Sequence, residues 1–260
     1  MDYGLGGRIA WITGAGGALG AAIARTLAAE GAVTWLSGRH ADTLESTAAA
    51  IRTTAPEAAH VLPMDVSRRD TVDAAAARIL AAHGRIDILV NSTALPIFGA
   101  FLELTDDDWE QVFQAKYMGY VRTLRAALPS MIAQRFGRIV NVSGRGGRQP
   151  TPAHLPGCSV NAAINLLTKG LADIHGKDNI RINAVAPGPI ATPRLESIAS
   201  SNAALAERGQ TSSRPANVTP LGRLGDPQDI ADAVAWLVSE RSAFITGTIQ
   251  AVDGGGTAAV

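Results

Sequence analysis

The residues Arg8-Ile-Ala-Trp-Ile-Thr-Gly-Ala-Gly-Gly-Ala-Leu-Gly20 decide the fold of this chain. Residues 9–12 are an apolar run that predicts a buried strand, and after the glycine cluster apolar residues recur at helical spacing as far as Gly31. Glycines in such a strand–turn–helix unit allow positive φ and a close approach of the backbone to a ligand, while the free N–H groups of the new helix can bind phosphate. The turn therefore predicts a site for a dinucleotide pyrophosphate, although glycine-rich turns also serve to pack a helix on a strand.

Composition limits the classes of function. The chain has 260 residues, of which 47% are hydrophobic and 18% charged, and this predicts a single α/β domain over 1–260. Because 23 basic residues balance 23 acidic ones, we expect a small-molecule partner, and neither nucleic acid nor a membrane. Cys158 is the only cysteine, which excludes an internal disulfide. With no apolar leader at the N-terminus, a cytoplasmic protein is expected.

The rest of the chain repeats the strand–helix unit without a break in composition. This alternation predicts a doubly wound α/β sheet with helices on both faces. Three capping patterns, at Ser67, Thr105 and Asp226, predict where helices begin. The further strands are predicted at 33–37, 60–64, 86–90, 138–143, 180–186 and 248–252.

Polar residues follow several of these strands, at the edge of the sheet where ligands bind. Arg39 follows the second strand, where a carboxylate would bind the 2′-hydroxyl of NAD and an arginine would bind the 2′-phosphate of NADP. NADP is therefore the expected cofactor, with NAD as the alternative. Asp65 follows the third strand, where an adenine edge would lie, and Asn91 ends the fourth. Residues 194–224 are polar with weak periodicity and predict a mobile lid over the pocket or a disordered connection.

Several separated motifs resemble the short-chain dehydrogenase/reductase family over essentially the whole chain. The resemblance implies a Rossmann-type fold with a mostly parallel seven-stranded sheet, a nicotinamide cofactor, and a homo-oligomer, either a tetramer or a dimer. The motifs are Thr13-Gly-Ala-Gly-Gly-Ala-Leu-Gly20, Gly38-Arg39, Asp65-Val66, Leu89-Val-Asn91, Arg181-Ile-Asn-Ala-Val-Ala-Pro-Gly188, Ile245-Thr-Gly247 and Val252-Asp-Gly-Gly255.

The resemblance also implies which residues bind the cofactor. One departure lies in the turn, where Ala18 replaces the middle glycine and narrows the approach of a pyrophosphate. The implied cofactor-binding residues are Gly14, Gly16, Gly17, Leu19, Arg39, Asp65, Val66, Asn91, Pro187, Gly188, Ile190 and Thr192.

The departures at the reaction centre are larger. The family's catalytic tyrosine lies four residues before a lysine and thirteen after a serine. Counted back from residues 181–183, the lysine position is Asn161, the tyrosine position is Gly157 and the serine position is Gly144. The family's assisting asparagine corresponds to Lys116, so all four positions are substituted. Lys116 and Asn161 resemble an exchange of two groups across adjacent helices, or else they are a solvated lysine and a surface amide.

Other proton carriers are few. His154 precedes Gly157 and has a side chain suited to acid/base chemistry near neutral pH, although a histidine here is also typical of a loop at a subunit surface. Cys158 begins the next helix, whose N-terminus would lower the pKa of the thiol, unless the residue is simply packed. We predict Lys116, His154 and Asn161 as catalytic residues, and no metal site.

Three functions fit these observations. The first is an NAD(P)-dependent oxidoreductase that acts on a small carbonyl, alcohol or imine with a non-standard proton donor. The second is a lyase or isomerase that uses Lys116 without redox chemistry. The third is a catalytically silent cofactor-binding subunit. The first is preferred, because the cofactor motifs are intact and hydride transfer is the chemistry of the cofactor itself.

Overall fold

The computed structural model describes residues 3–209 and 219–258. Within these residues seven strands form one sheet in the order β3-β2-β1-β4-β5-β6-β7, and every neighbouring pair is parallel. This confirms the predicted doubly wound, Rossmann-like α/β fold. The strands are β1 Ile9–Thr13, β2 Val33–Gly38, β3 Ala59–Pro63, β4 Ile88–Asn91, β5 Gly137–Val142, β6 Ile180–Pro187 and β7 Ile249–Val252.

Helices cover both faces of the sheet. Successive residues of a strand point to opposite faces, so Ile12 packs in one core with α1, α2 and α8, while Trp11 packs in the other with α3, α5 and α6. A π-helical segment, Phe113–Met118, joins α4 to α5 without a break. The helices are α1 Ala18–Ala29, α2 Ala41–Arg52, α3 Arg69–His83, α4 Asp106–Val112, α5 Gly119–Ala133, α6 Leu155–His175, α7 Pro193–Glu207 and α8 Pro227–Val238.

The strand order reverses between β1 and β4, which opens a crevice at the carboxyl ends of these strands. The turn after β1 depends on Gly14, which has φ +67° and lies so close to the chain after β4 that a Cβ would be 2.5 Å from the Ser92 carbonyl oxygen. Any larger residue would therefore push the two strand ends apart. The turn delivers the N-terminus of α1 to the crevice.

Two of the three predicted helix caps are confirmed. Thr105 and Asp226 each form a reciprocal capping box, with Asp108 and Asp229 respectively. The prediction at Ser67 is wrong, because α3 begins two residues later with no side-chain cap. Ser67 instead donates from its backbone N–H and hydroxyl to Asp65. The Asp65 carboxylate thus holds Ser67 in a tight turn, and the serine does not cap the helix.

The segment predicted as a lid has regular structure in its first half. Residues 193–207 form α7, with Pro193 at its first turn. Residues 210–218, which belong to the same prediction, lie outside the described residues. Among the helices that are described, none combines the length and the apolar character that a membrane crossing needs.

Candidate active site

A cleft of about 480 Å³ follows the carboxyl ends of the central strands. It opens beside a smaller cavity of about 190 Å³, and Leu19 and Thr192 line both. Of the predicted cofactor-binding residues, Gly14, Gly16, Gly17, Leu19, Arg39, Asp65, Val66 and Thr192 line the cleft. Pro187, Gly188 and Ile190 line the smaller cavity.

The cleft has the features that a dinucleotide requires. At the N-terminus of α1, Gly17 is the cap residue, and neither a side-chain cap nor an acidic residue of the first turn competes for the free N–H groups. Ala18 begins the helix at an exposed position and lines the cleft. Arg39 lies at the wall beyond β2, where its guanidinium can bind a phosphate.

Asn91 lies behind the cleft and lines neither cavity. Its amide nitrogen donates to Asn141 Oδ1 at 3.0 Å, and its Oδ1 accepts from the Thr123 hydroxyl at 2.7 Å. The fully buried side chain thus ties β4 to β5 and α5. The structure thus places the Asn91 side chain inside the sheet and not at the wall of either cavity.

Lys116 lies on the π-helical segment and points into the smaller cavity, with only 5% of its surface exposed. Its ammonium donates to Asn161 Oδ1 at 2.6 Å and to the Ser143 carbonyl oxygen at 2.8 Å. Burial lowers the pKa of Lys116 to about 7, and the positive charge of Arg194 acts in the same direction. The side chain therefore changes charge near neutral pH.

Lys116 lies in the π-helical turn and on the buried side of the long helix. A π-helix closes its hydrogen bonds over five residues, so it accommodates one more residue than the α-helices on either side and shifts the helix face by one position. Lys116 is the buried residue of this segment, whereas Phe113 is exposed. Lys116 lies four residues from the buried Val112 and from the buried Tyr120, so it belongs to the buried face of the helix, and its amine reaches the carboxyl end of β5.

His154 is also buried against the smaller cavity, and both of its ring nitrogens are occupied. Nδ1 lies 3.0 Å from the Ile97 carbonyl oxygen, so it carries the proton and donates it. Nε2 then accepts from the Arg194 guanidinium at 3.0 Å. Burial lowers the pKa of His154 to about 4, and the Arg194 charge adds to the shift. The imidazole is neutral at physiological pH.

Cys158 and Ser143 are packed residues of the same cavity. The Cys158 sulfur accepts from the Thr151 N–H at 3.4 Å, and burial raises the pKa of the thiol. The predicted lowering of this pKa by the helix N-terminus is therefore wrong, because desolvation outweighs it. The Ser143 hydroxyl donates to the Val185 carbonyl oxygen on β6 at 3.2 Å, so it turns away from Lys116.

Arg194, on the first turn of α7, also belongs to the site, although it was not among the site residues predicted from the sequence. It lines both cavities and donates to His154. Burial lowers the pKa of Arg194, and no carboxylate of the described residues forms an ion pair with it. Its position could have indicated a role in the site, because Arg194 lies two residues after Thr192, between the cofactor motif and the predicted lid.

The sequence profile of a family described as Enoyl-(Acyl carrier protein) reductase matches residues 14–257. Oxidoreductase UcpA of Escherichia coli K12 is 37% identical over 255 residues, which cover 97% of this chain and 95% of that protein. The chain belongs to the short-chain dehydrogenase/reductase family. Nodulation protein G of Rhizobium meliloti is 34% identical over 96% of this chain and 97% of its own length. The L-sorbose reductase of Gluconobacter frateurii, solved with NADPH and L-sorbose, superimposes with a TM-score of 0.90 over the full length of both chains at 29% identity.

Two glycines stand where the resemblance to short-chain dehydrogenases places a serine and a tyrosine, and neighbouring side chains fill the space beside both. A Cβ on Gly157 would lie 1.9 Å from His154 Nε2. A Cβ on Gly144 would lie 2.7 Å from Asn161 Nδ2, at φ +155°. The imidazole and the amide thus occupy the space that larger side chains at 157 and 144 would need. Lys116, His154 and Asn161, which we predicted as catalytic, all line this one cavity.

Proposed function

We propose that the protein is an NADP-dependent oxidoreductase of a small carbonyl, alcohol or imine, with Lys116 as the group that donates or accepts the proton. One observation carries the proposal: a buried amine, held by Asn161 and the Ser143 carbonyl oxygen, lies in a cavity that adjoins the cofactor cleft, and burial lowers its pKa to about 7. The names of UcpA, an oxidoreductase, and of the NADPH-bound sorbose reductase support the reaction class.

The cleft residues would hold the cofactor. The N-terminus of α1 would bind the pyrophosphate and Arg39 the 2′-phosphate, while Thr192 lies where the cleft and the cavity meet. When bound, a nicotinamide supplies or accepts hydride at the substrate carbon. The chain itself then has to bind the substrate, exclude water and move one proton.

The hydrogen bonds of Lys116 suit both directions of that proton transfer. An ammonium has three N–H groups, and Asn161 and Ser143 accept two of them, so the third can donate to a substrate oxygen or nitrogen in the cavity. After donation the neutral amine keeps two N–H groups for the same two acceptors, and its lone pair faces the cavity. The amine therefore acts as an acid in reduction and as a base in oxidation without rearranging its partners.

The same geometry disfavours a Schiff base on Lys116. An amine with a pKa near 7 is suited to attack on a carbonyl, but the resulting imine nitrogen retains at most one N–H. Either Asn161 Oδ1 or the Ser143 carbonyl oxygen would then lose its hydrogen bond inside the protein, which costs about 1–3 kcal/mol. We therefore prefer the redox reaction to a lyase or isomerase.

The test is turnover of a panel of small carbonyls and imines by the NADPH complex, after a fluorescence titration has established cofactor binding. We expect Lys116→Met to abolish turnover and leave NADPH binding intact, whereas Lys169→Met, at an exposed position on α6, changes neither. The kcat/KM of the unaltered protein should titrate near pH 7. Unchanged turnover in Lys116→Met would remove the lysine from the mechanism. NADPH binding without turnover across the panel would favour the silent subunit.

A further inference from the structure

The smaller cavity is lined by cations and by no described carboxylate. Its basic residues are Lys116, Arg145 and Arg194, and the other described lining residues are apolar or neutral at physiological pH. Asp253 lies near Arg145: burial raises the pKa of that carboxyl, whereas hydrogen bonds from Thr257 and Gly255 and then the charge of Arg145 lower it, with a net lowering. Among the described residues, no carboxylate forms an ion pair that would compensate the charge of Arg194.

Arg194 is an incompletely satisfied cation. A guanidinium carries five N–H donors, and within residues 3–209 and 219–258 one of them has a partner, the uncharged Nε2 of His154. The side chain is half-buried, and its burial lowers its pKa. A desolvated charge without a counter-ion is unfavourable. A ligand that supplies a negative charge would therefore stabilise the Arg194 guanidinium more than a neutral ligand would.

The guanidinium lies at the reacting end of the site. It contacts His154, and its charge lowers the pKa of Lys116 and of His154. Both residues line the smaller cavity, and neither lines the dinucleotide cleft. The phosphates of a dinucleotide have their own partners at the other end, at Arg39 and the N-terminus of α1.

We propose that the substrate carries a carboxylate that pairs with Arg194, so that the reaction interconverts a small oxo acid and the corresponding hydroxy acid, with the nicotinamide exchanging the hydride and Lys116 the proton. The planar fork of arginine matches the two oxygens of a carboxylate. A cavity of about 190 Å³ suits a small acid. This inference rests on the proposed oxidoreductase function and adds the chemical class of its substrate.

Calorimetric titration with pyruvate, acetoacetate and levulinate, each beside its methyl ester, tests the proposal because the three acids differ in the spacing between carbonyl and carboxylate. Each titration is run with and without NADP+, which cannot reduce the acids, so that the heat reports binding and not turnover. At least one acid should bind about tenfold or more tightly than its ester. Arg194→Met should abolish this preference and Arg194→Lys should retain part of it. Arg125→Met, at an exposed position on α5, should leave it unchanged.

The outcomes separate this inference from the proposed function. Equal binding of every acid and its ester, or an acid preference that survives Arg194→Met, overturns the carboxylate site whether or not NADPH binds. If Arg194→Met weakens NADPH binding and leaves the ratio of acid to ester unchanged, Arg194 belongs to the cofactor and the inference is wrong. If acids bind through Arg194 while NADPH does not bind, the carboxylate site stands and the oxidoreductase proposal fails.

Discussion

Single residues of the cavity depend on one another for space. Gly157 is small because the His154 imidazole lies where its Cβ would be, and His154 is held there by Ile97 and Arg194. Gly144 is small beside the Asn161 amide, which in turn accepts from Lys116. A larger side chain at either glycine therefore disturbs a set of contacts and does not fill a vacant space.

We predict that Gly157→Tyr lowers the free energy of unfolding and creates no turnover of simple ketones. The new Cβ would force His154 out of its two hydrogen bonds, and overpacking of this kind costs about 1–3 kcal/mol. Burial in the cavity would also favour the protonated form of the tyrosine hydroxyl. Urea unfolding and a ketone assay are the measurements.

The double variant Gly157→Tyr with His154→Ala supplies the control for that prediction. Because it removes the clashing ring, its loss of stability should be smaller than the sum of the two single losses. A Gly157→Tyr protein that is as stable as the parent and reduces simple ketones would contradict the prediction.

At the scale of elements, the strands and the cofactor turn were predictable because they depend on local sequence. Each predicted strand is found within two residues of its predicted ends, since parallel strands buried on both faces are apolar runs. The helix α7 was not predicted, because its Ser-rich and Ala-rich sequence has little periodicity and its buried contact is made with a distant loop. The His154–Arg194 pair spans 40 residues and leaves no local signal.

We expect Arg39, at the carboxyl end of β2, to decide whether the protein prefers NADPH or NADH. Arg39 is exposed at the wall of the cleft, so a 2′-phosphate there would gain a charge-assisted hydrogen bond of roughly 1.5–3 kcal/mol, which is about tenfold or more in affinity. We predict that NADPH binds more tightly than NADH and that Arg39→Asp reverses the order.

Fluorescence titration of both reduced cofactors measures this preference, with Arg125→Asp as the control for a general change of charge. Equal affinity of the unaltered protein for NADPH and NADH would show that Arg39 does not contact the 2′-phosphate. Binding of neither cofactor would direct attention to Ala18 in the turn.

At the scale of the whole molecule, the buried amine makes folding stability depend on pH. The pKa of Lys116 falls from 10.5 to about 7 on folding, so between these values the unfolded chain binds more protons than the folded one. Stability therefore rises with pH through this window, and below about pH 7 the full cost of burying the charge remains. The charged and ionisable groups that act on Lys116 are Arg194 on α7 and Cys158 on α6.

We predict that this cost appears in the difference between the free energies of unfolding of the parent and of Lys116→Met. The free energy of unfolding of the parent should gain roughly 3 kcal/mol relative to the variant between pH 7 and pH 10, because methionine at this position has no proton to lose. Urea unfolding at several pH values measures the difference, in which the titrations common to both proteins cancel. Lys169→Met, which removes an exposed lysine from α6, should give a difference that stays flat with pH. A flat difference for Lys116→Met as well would mean that the amine keeps an ordinary lysine pKa in the cavity, and the acid and base roles proposed for it would then be untenable near neutral pH.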